Sequence, residues 1–170
     1  MYKRQFYTLT LIVVSIIISC SEDDRLEVNE PDSTFQITFD GTSYNINSVF
    51  ANDLGLDEET GYFNSIFTFI GSSGDIDIEV SVSLFSSQEV NEDSFSEGIF
   101  IFDENNEAPL FFNNSYITTL NDFNTINMFF IDGGEISFEE TSLCSRFVIN
   151  LTTFDNRDIT GEYEGETFAP

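Results

Sequence analysis

Apolar and polar residues begin to alternate at Thr34, and short alternating runs recur through the rest of the chain. Phe35, Ile37 and Phe39 are separated by polar residues, and residues 76–84 repeat the pattern with aliphatic side chains. A period of two places successive side chains on opposite faces of a strand, so each run predicts a half-buried β-strand. We find no sustained helical apolar stripe, and the pattern therefore predicts an all-β domain.

Asp40-Gly41 lies between the first two runs and is typical of a two-residue hairpin with positive φ at both positions. Such a turn sets three pairs opposite one another: Phe39 with Thr42, Ile37 with Tyr44, and Phe35 with Ile46. Each pair brings apolar residues of one strand onto the same face as apolar residues of the next, with Thr42 beside the turn. The two runs therefore predict one hairpin.

Glycine-rich segments indicate further turns at residues 71–74 and 133–134. A four-residue loop at 71–74 predicts these pairs: Phe69 with Ile76, Phe67 with Ile78, and Phe63 with Val82. About ten short strands result, spaced by Gly, Asn and Asp turns. This spacing favours an antiparallel β-sandwich over residues 34–170, with a closed or partly open β-barrel as the alternative.

The segment before the domain has the layout of a secretory signal peptide. Lys3 and Arg4 precede an apolar run of roughly ten to twelve residues, which is shorter than the ~20 that a membrane-spanning helix needs. The run ends in Ile17-Ile18-Ser19-Cys20, which resembles the lipobox of bacterial lipoproteins. The resemblance implies that residues 1–19 are removed and that Cys20 carries lipid as the first mature residue.

The residues after Cys20 extend the resemblance. Ser21, Glu22, Asp23 and Asp24 resemble the acidic tract that directs Bacteroidota lipoproteins to the outer face of the outer membrane. The closing block from Gly134 to Gly165 resembles the last strands of an uncharacterised small β-sandwich family of such lipoproteins. The resemblance implies a lipidated, acidic tether over residues 20–33 and a domain displayed at the cell exterior.

The charge is strongly negative. Three arginines remain after residue 19 against all 31 acids, a formal charge of 3 − 31 = −28. Nucleic-acid binding depends on basic groups that neutralise phosphates, so a nucleic-acid partner is not expected. The charge favours solubility and attracts cations, and it is as well explained by the habitat as by a function.

Catalysis is not expected from this sequence. Histidine is absent, which removes the commonest general base and the commonest zinc ligand. The region after residue 19 has no lysine, and no phosphate-binding glycine motif is present. The two cysteines cannot form a framework of several disulfides, and Cys144 is expected to be a small buried apolar side chain. Two-carboxylate hydrolysis stays open, but with so many acids a close pair carries little information.

Two sets of side chains with oxygen atoms predict weak cation sites, because calcium prefers oxygen ligands. Asp103, Asn105 and Glu107 have the alternate spacing of a calcium loop, although Ala108 stands where an EF-hand has glycine. Asp75, Asp77 and Glu79 share one strand face, where a solvated outer surface is the competing interpretation. We therefore expect at most weak Ca²⁺ binding and no other cofactor.

Glycan binding is the other ligand hypothesis, and exposed aromatic rings would carry it. The chain has no tryptophan, and the candidate rings are Tyr44, Tyr62, Tyr116 and Tyr163, of which Tyr44 and Tyr163 fall on predicted core faces. The sequence as a whole favours a non-catalytic envelope protein, an interaction or structural module with an envelope protein or a glycan as partner. The alternative is an accessory protein that captures glycans or divalent cations.

Overall fold

The computed structural model describes residues 35–91, 94–121, 124–140 and 144–169. In this part of the chain every regular element is a strand, and their bounds are β1 (Gln36–Phe39), β2 (Thr42–Asp57), β3 (Tyr62–Ser73), β4 (Ile76–Ser87), β5 (Gly98–Phe102), β6 (Leu110–Asn121), β7 (Asn124–Glu140), β8 (Ser145–Thr153) and β9 (Asp158–Gly165). The predicted signal peptide, residues 1–19, and the predicted tether, residues 20–33, lie outside the described residues.

The strands form one closed barrel in the order β1-β2-β3-β4-β6-β5-β7-β8-β9. Closure comes from β9, which pairs with β1 from Gln36 opposite Glu162 to Phe39 opposite Ile159. The all-β prediction is confirmed in the form of the barrel, the alternative that the sequence left open beside the favoured sandwich. The sandwich is not formed because the first and last strands pair with each other, so one continuous sheet encloses the core.

The first hairpin has the predicted register. Phe39 lies opposite Thr42 and Ile37 opposite Tyr44, and the N–H of Ile46 donates to the carbonyl oxygen of Phe35 (2.8 Å). Asp40 and Gly41 both have positive φ, 50° and 77°, as the two-residue turn requires. This hairpin places Asp40 at one end of the barrel, where it later meets Arg157.

The second hairpin has a different register from the predicted one. β3 continues through Gly71 to Ser73, so the turn has two residues instead of four and Phe69 lies opposite Val80. Gly71 is a strand residue, and the position requires glycine because a Cβ there would lie 2.8 Å from the carbonyl oxygen of Asn45. The shift is four residues, an even number, so the predicted inward face of β4 is still the buried one.

The turn predicted at residues 133–134 is internal to a long strand, and the described residues form nine strands where the sequence predicted about ten. β7 runs without interruption over Asn124–Glu140, through residues 133–134, and β6 is likewise one strand over Leu110–Asn121. β7 passes through a bulge between Ile131 and Gly133. Gly134 belongs to this strand and not to a turn, and the position requires glycine because a Cβ would clash with the carbonyl oxygen of Asn150.

Between the nine strands, pairing is antiparallel except where β5 enters the wall. β5 lies between diverging ends of β6 and β7, parallel to β6 and antiparallel to β7. Beyond β5 the two long strands pair directly, with Tyr116 opposite Phe130. The short strand therefore fills a gap between two strands that are adjacent elsewhere.

Apolar side chains fill the interior of the barrel. The cluster consists of Ile37, Phe39, Tyr44, Ile46, Val49, Phe67, Phe69, Ile78, Val80, Val82, Leu84, Phe100, Phe112, Ile117, Ile131, Ile136, Phe138, Phe147, Ile149, Leu151, Ile159 and Tyr163. Phe147 lies at its centre, with ring centroids 4.9 Å from Phe67 and Phe138 and 5.1 Å from Phe69. Phe95, from the loop before β5, stacks on Phe100 (5.5 Å) and packs against this cluster.

Residues after β9 complete the wall beside β2. β1 covers only the first part of the much longer β2. Residues 166–169, which we call the closing segment, run alongside β2 further on, where Phe168 forms a parallel bridge with Phe50. The closing segment therefore takes the position of a neighbouring strand where β1 is missing.

Candidate functional site

The loop between β5 and β6 contains the first predicted cation site, and its acid is used by the loop itself. The Asp103 carboxylate accepts three backbone N–H bonds: from Asn105 to Oδ1 (2.9 Å), and from Glu107 (2.8 Å) and Ala108 (2.7 Å) to Oδ2. These bonds, with that from Ala108 contributing most, lower the pKa of Asp103. The same oxygens would have to be the cation ligands, so the carboxylate already serves as the acceptor that shapes the loop.

The loop also rests on an aromatic cluster on the outside of the barrel. The Tyr62 hydroxyl donates toward the carbonyl oxygens of Asn106 (3.3 Å) and Ala108 (3.5 Å). Beneath it, Phe111 meets the edge of the Tyr62 ring at 5.1 Å and stacks on Phe85 at 4.7 Å. Phe111 is buried although it faces outward. The cluster fixes the loop against β3, β4 and β6.

The second predicted cation site lies along the outer face of β4. Asp75 is in the turn before the strand and is exposed, whereas Asp77 and Glu79 are half-buried between β3 and β6. Among the described residues we find no group of three or more acidic or cysteine side chains arranged to hold a metal ion. Weak Ca²⁺ binding at either set stays a prediction.

The four candidate tyrosines form a buried pair and a surface pair, as the alternation of apolar and polar residues indicates. Tyr44 and Tyr163 are buried in the core, and burial raises the pKa of both. Tyr62 and Tyr116 are half-buried, and the Tyr62 hydroxyl contacts the loop carbonyls described above. Tyr116 lies outward on β6, opposite Phe130. Of the four candidate rings, only Tyr62 and Tyr116 are at the surface.

The most exposed large apolar side chains near one another lie on β7 and in the β8–β9 turn, and we call them the apolar patch: Met128, Phe130 and Phe154. Phe154 is 80% exposed and Phe130 63% exposed. The N–H of Phe154 donates to the carbonyl oxygen of Phe130 (3.0 Å), which joins the turn to β7. Sequence reasoning missed this patch because the alternation marks a face of β7 without showing which face is buried.

Arg157 holds the turn that carries Phe154. Its Nη1 lies 2.9 Å from Asp40 Oδ2 and its Nε 2.8 Å from Asp155 Oδ2, and its guanidinium lies over the Phe129 ring, 4.6 Å from the centroid. A hydrogen bond from the Thr153 hydroxyl, and then Arg157, lower the pKa of Asp155. The contacts join the β1–β2 and β8–β9 turns, so the patch stands on a fixed turn.

The variant Asp103→Asn tests the role of this carboxylate in the loop. An amide nitrogen in place of Oδ2 cannot accept the two N–H bonds from Glu107 and Ala108, so we expect faster hydrogen exchange at residues 105–108. Because the folded pKa of Asp103 is lowered, its contribution to stability is present above the unfolded value of about 3.9 and is lost as the pH falls through the folded value. Urea midpoints from pH 7 to pH 3 should show the difference from wild type shrinking toward acid.

Glu104→Gln is the matched control, since it removes one charge from the same loop and leaves the three hydrogen bonds intact. Equal exchange rates in Asp103→Asn and wild type would contradict the capping role. A difference in midpoint that is independent of pH would contradict the titration argument.

The predicted lipid-bearing residue Cys20 and the export tract, Ser21, Glu22, Asp23 and Asp24, lie outside the described residues. Cys144 is half-buried and not a free cysteine, which corrects its expected role as a small buried apolar side chain. The described residues contain no helix that is long and apolar enough to cross a membrane. No protein-family model, curated protein or solved structure matches the chain.

Proposed function

We propose that this protein is a lipid-anchored protein of the outer membrane that faces the cell exterior and acts as a non-catalytic interaction or structural module. The observation that carries the proposal is the position of Cys20, directly after Ile17-Ile18-Ser19 at the end of a short apolar run and directly before an acidic tract. The anchor supplies the location, and the barrel supplies the surface that acts there.

The barrel favours a surface function over enclosure of a ligand. Its interior is packed with aromatic and aliphatic side chains around Phe147. The apolar patch, in contrast, exposes Phe130 and Phe154 on a turn fixed by Arg157. Aromatic residues are enriched in protein–protein interfaces, and exposed apolar groups that lie close together often mark a contact surface.

Capture of glycans or divalent cations is the alternative. The two surface tyrosines are the observation in its favour for glycans. Against it, Asp103 is engaged by the backbone of its own loop and Tyr62 by the carbonyl oxygens of that loop. These contacts make the apolar patch the stronger candidate for the working surface.

Photo-crosslinking on intact cells tests the proposal. A photoreactive phenylalanine analogue is placed at Phe130 or Phe154, and at Thr160 or Glu162 as matched controls on the exposed outer face of β9. We expect the two patch positions to give one defined protein adduct in the envelope fraction and the β9 positions to give none. The expectation follows because the reagent reacts only with groups in contact with it.

Identical adducts from all four positions, or none from the patch positions, would contradict a role for the patch. An adduct whose added mass is removed by glycosidase treatment, but not by protease treatment, would favour glycan capture.

A further inference from the structure

The wall of the barrel has a weakly filled segment beside β2. β1 pairs with β2 only up to Asn45, although β2 continues to Asp57. Further along this edge the closing segment supplies the neighbour. The Ala51 N–H donates to the carbonyl oxygen of Phe168 (2.8 Å), and the Phe168 N–H donates to that of Val49 (2.9 Å).

These bonds have the geometry of a parallel strand pair, with Phe168 bridging Phe50. Two side-chain contacts accompany them: the Phe168 and Phe50 ring centroids lie 6.4 Å apart, and the Tyr163 hydroxyl donates to the carbonyl oxygen of Glu166 (2.5 Å). Phe168 is 47% exposed and lies on the outside of the barrel. By comparison, β1 pairs over its whole length with strands on both sides.

The closing segment is therefore held weakly in relation to its length. Ordering a residue costs conformational entropy, and a backbone hydrogen bond exchanged with water contributes only a small net gain. Three hydrogen bonds and one exposed ring contact are set against the ordering of four residues, so a detached state is accessible.

The part of β2 that is available to a neighbouring strand is short, because further along β2 a backbone N–H is already bonded to a side chain of the same strand. The Asp53 carboxylate accepts the N–H of Gly55 (2.9 Å), and β2 has a register shift between these two residues. The backbone groups of β2 that bond the closing segment are the carbonyl oxygen of Val49 and the N–H of Ala51. Such an edge accepts one aromatic residue and its immediate neighbours.

We propose that residues 49–51 of β2 form a β-augmentation site for an extended segment of a partner protein, which replaces the closing segment and places an aromatic ring where Phe168 lies. The partner strand runs parallel to β2. It carries basic flanking residues, because Glu164 at the end of β9 and the acidic barrel around the site repel an acidic peptide. This inference rests on the proposed function as an interaction module and names the chemistry of the partner.

The closing segment then acts as an intramolecular competitor. A segment joined directly to β9 is present at an effective concentration in the millimolar range. Weakening it exposes the edge to a peptide added from solution. Phe168→Ala is the suitable change, since this side chain is outside the core cluster and half-exposed.

The test uses the purified full-length chain in neutral detergent and a labelled hexapeptide with the sequence of residues 165–170, in which lysine replaces the glutamate. We expect Phe168→Ala to bind this probe about tenfold more tightly than wild type, measured by fluorescence anisotropy, because the competing segment has lost its ring contact. Two control peptides carry alanine, or N-methylated phenylalanine, at the aromatic position. Both should lose binding, since the first lacks the ring and the second lacks the N–H that meets Val49.

Equal affinity of wild type and Phe168→Ala, or undiminished binding of either control peptide, would overturn the proposal. A dimer of wild type that depends on concentration and is abolished by Phe168→Ala would also overturn it, in favour of exchange of the closing segment between two copies. These measurements do not depend on the lipid, so their failure is distinguishable from failure of the proposed anchoring.

Discussion

The variant Cys20→Ala is expected to leave the membrane fraction and to appear in the soluble fraction. A cysteine after the apolar run is the residue that the lipobox resemblance assigns to acylation. One acyl chain gives only marginal binding, with an association constant of about 10⁴ M⁻¹, whereas two or more anchor a protein stably. Removal of the thiol removes the acylation site, so we expect a loss of membrane partitioning of at least roughly 100-fold. Fractionation with immunoblotting, and metabolic labelling with a fatty acid, measure it.

Cys144→Ala is the matched control, and it should keep both the label and the membrane fraction. The control also separates lipidation from disulfide formation. The sulfur of Cys20 can form a thioether to lipid or a disulfide, but not both. Intact mass before and after reduction distinguishes them. Membrane association that is unchanged in Cys20→Ala, or a mature mass without added lipid, would contradict the anchor.

The second large effect is expected for Phe147→Ala in the centre of the barrel. Four aromatic rings surround Phe147, at centroid distances from 4.9 Å to 6.4 Å. Truncation of a buried phenylalanine typically costs about 3–5 kcal/mol through lost transfer free energy and the remaining cavity. Since small domains unfold with a total of about 5–15 kcal/mol, much of the stability should be lost. Urea unfolding followed by circular dichroism measures it.

Phe154→Ala removes the same side chain from a position that is 80% exposed and should change the free energy of unfolding by less than about 0.5 kcal/mol. Similar losses in both variants would show that the barrel interior is not the main source of stability. The control also serves the crosslinking experiment, because it shows that substitution in the apolar patch leaves the fold intact.

Local pairing was predictable from the sequence wherever a turn had one available geometry. Asp40-Gly41 specifies a two-residue turn, and the register of β1 and β2 follows from it. Gly71 and Gly134 misled the prediction, because a glycine required for close backbone approach within a strand looks the same in sequence as a glycine required for a turn. The even shift in β4 kept the correct buried face nonetheless.

Closure of the barrel could not be read from alternation. A sandwich and a barrel both need strands with one apolar face, and they differ in whether β9 finds β1. That pairing is decided by strand twist and by the positions of bulges, which depend on the whole sheet. Mid-strand glycines in β3 and β7 were the available signal for bending, since glycine often marks bends and bulges in sheets.

The candidate sites were predictable only as residue types. Spacing placed Asp103, Asn105 and Glu107 in one loop, but spacing does not show that the carboxylate of Asp103 would accept the amides of that loop. The apolar patch and the edge of β2 depend on which residues of the complete barrel are left uncovered. Exposure of this kind is a property of the assembled sheet and has no local signature in the sequence.

The pairing of β1 with β9 also has a consequence for biosynthesis. Gln36 and Glu162 are opposite one another although 162 − 36 = 126 positions separate them. Until the ribosome has added β9, β1 has no neighbour on one side and the hydrophobic interior stays incomplete. The barrel therefore closes only after translation has reached β9, so its first strand is completed by its last.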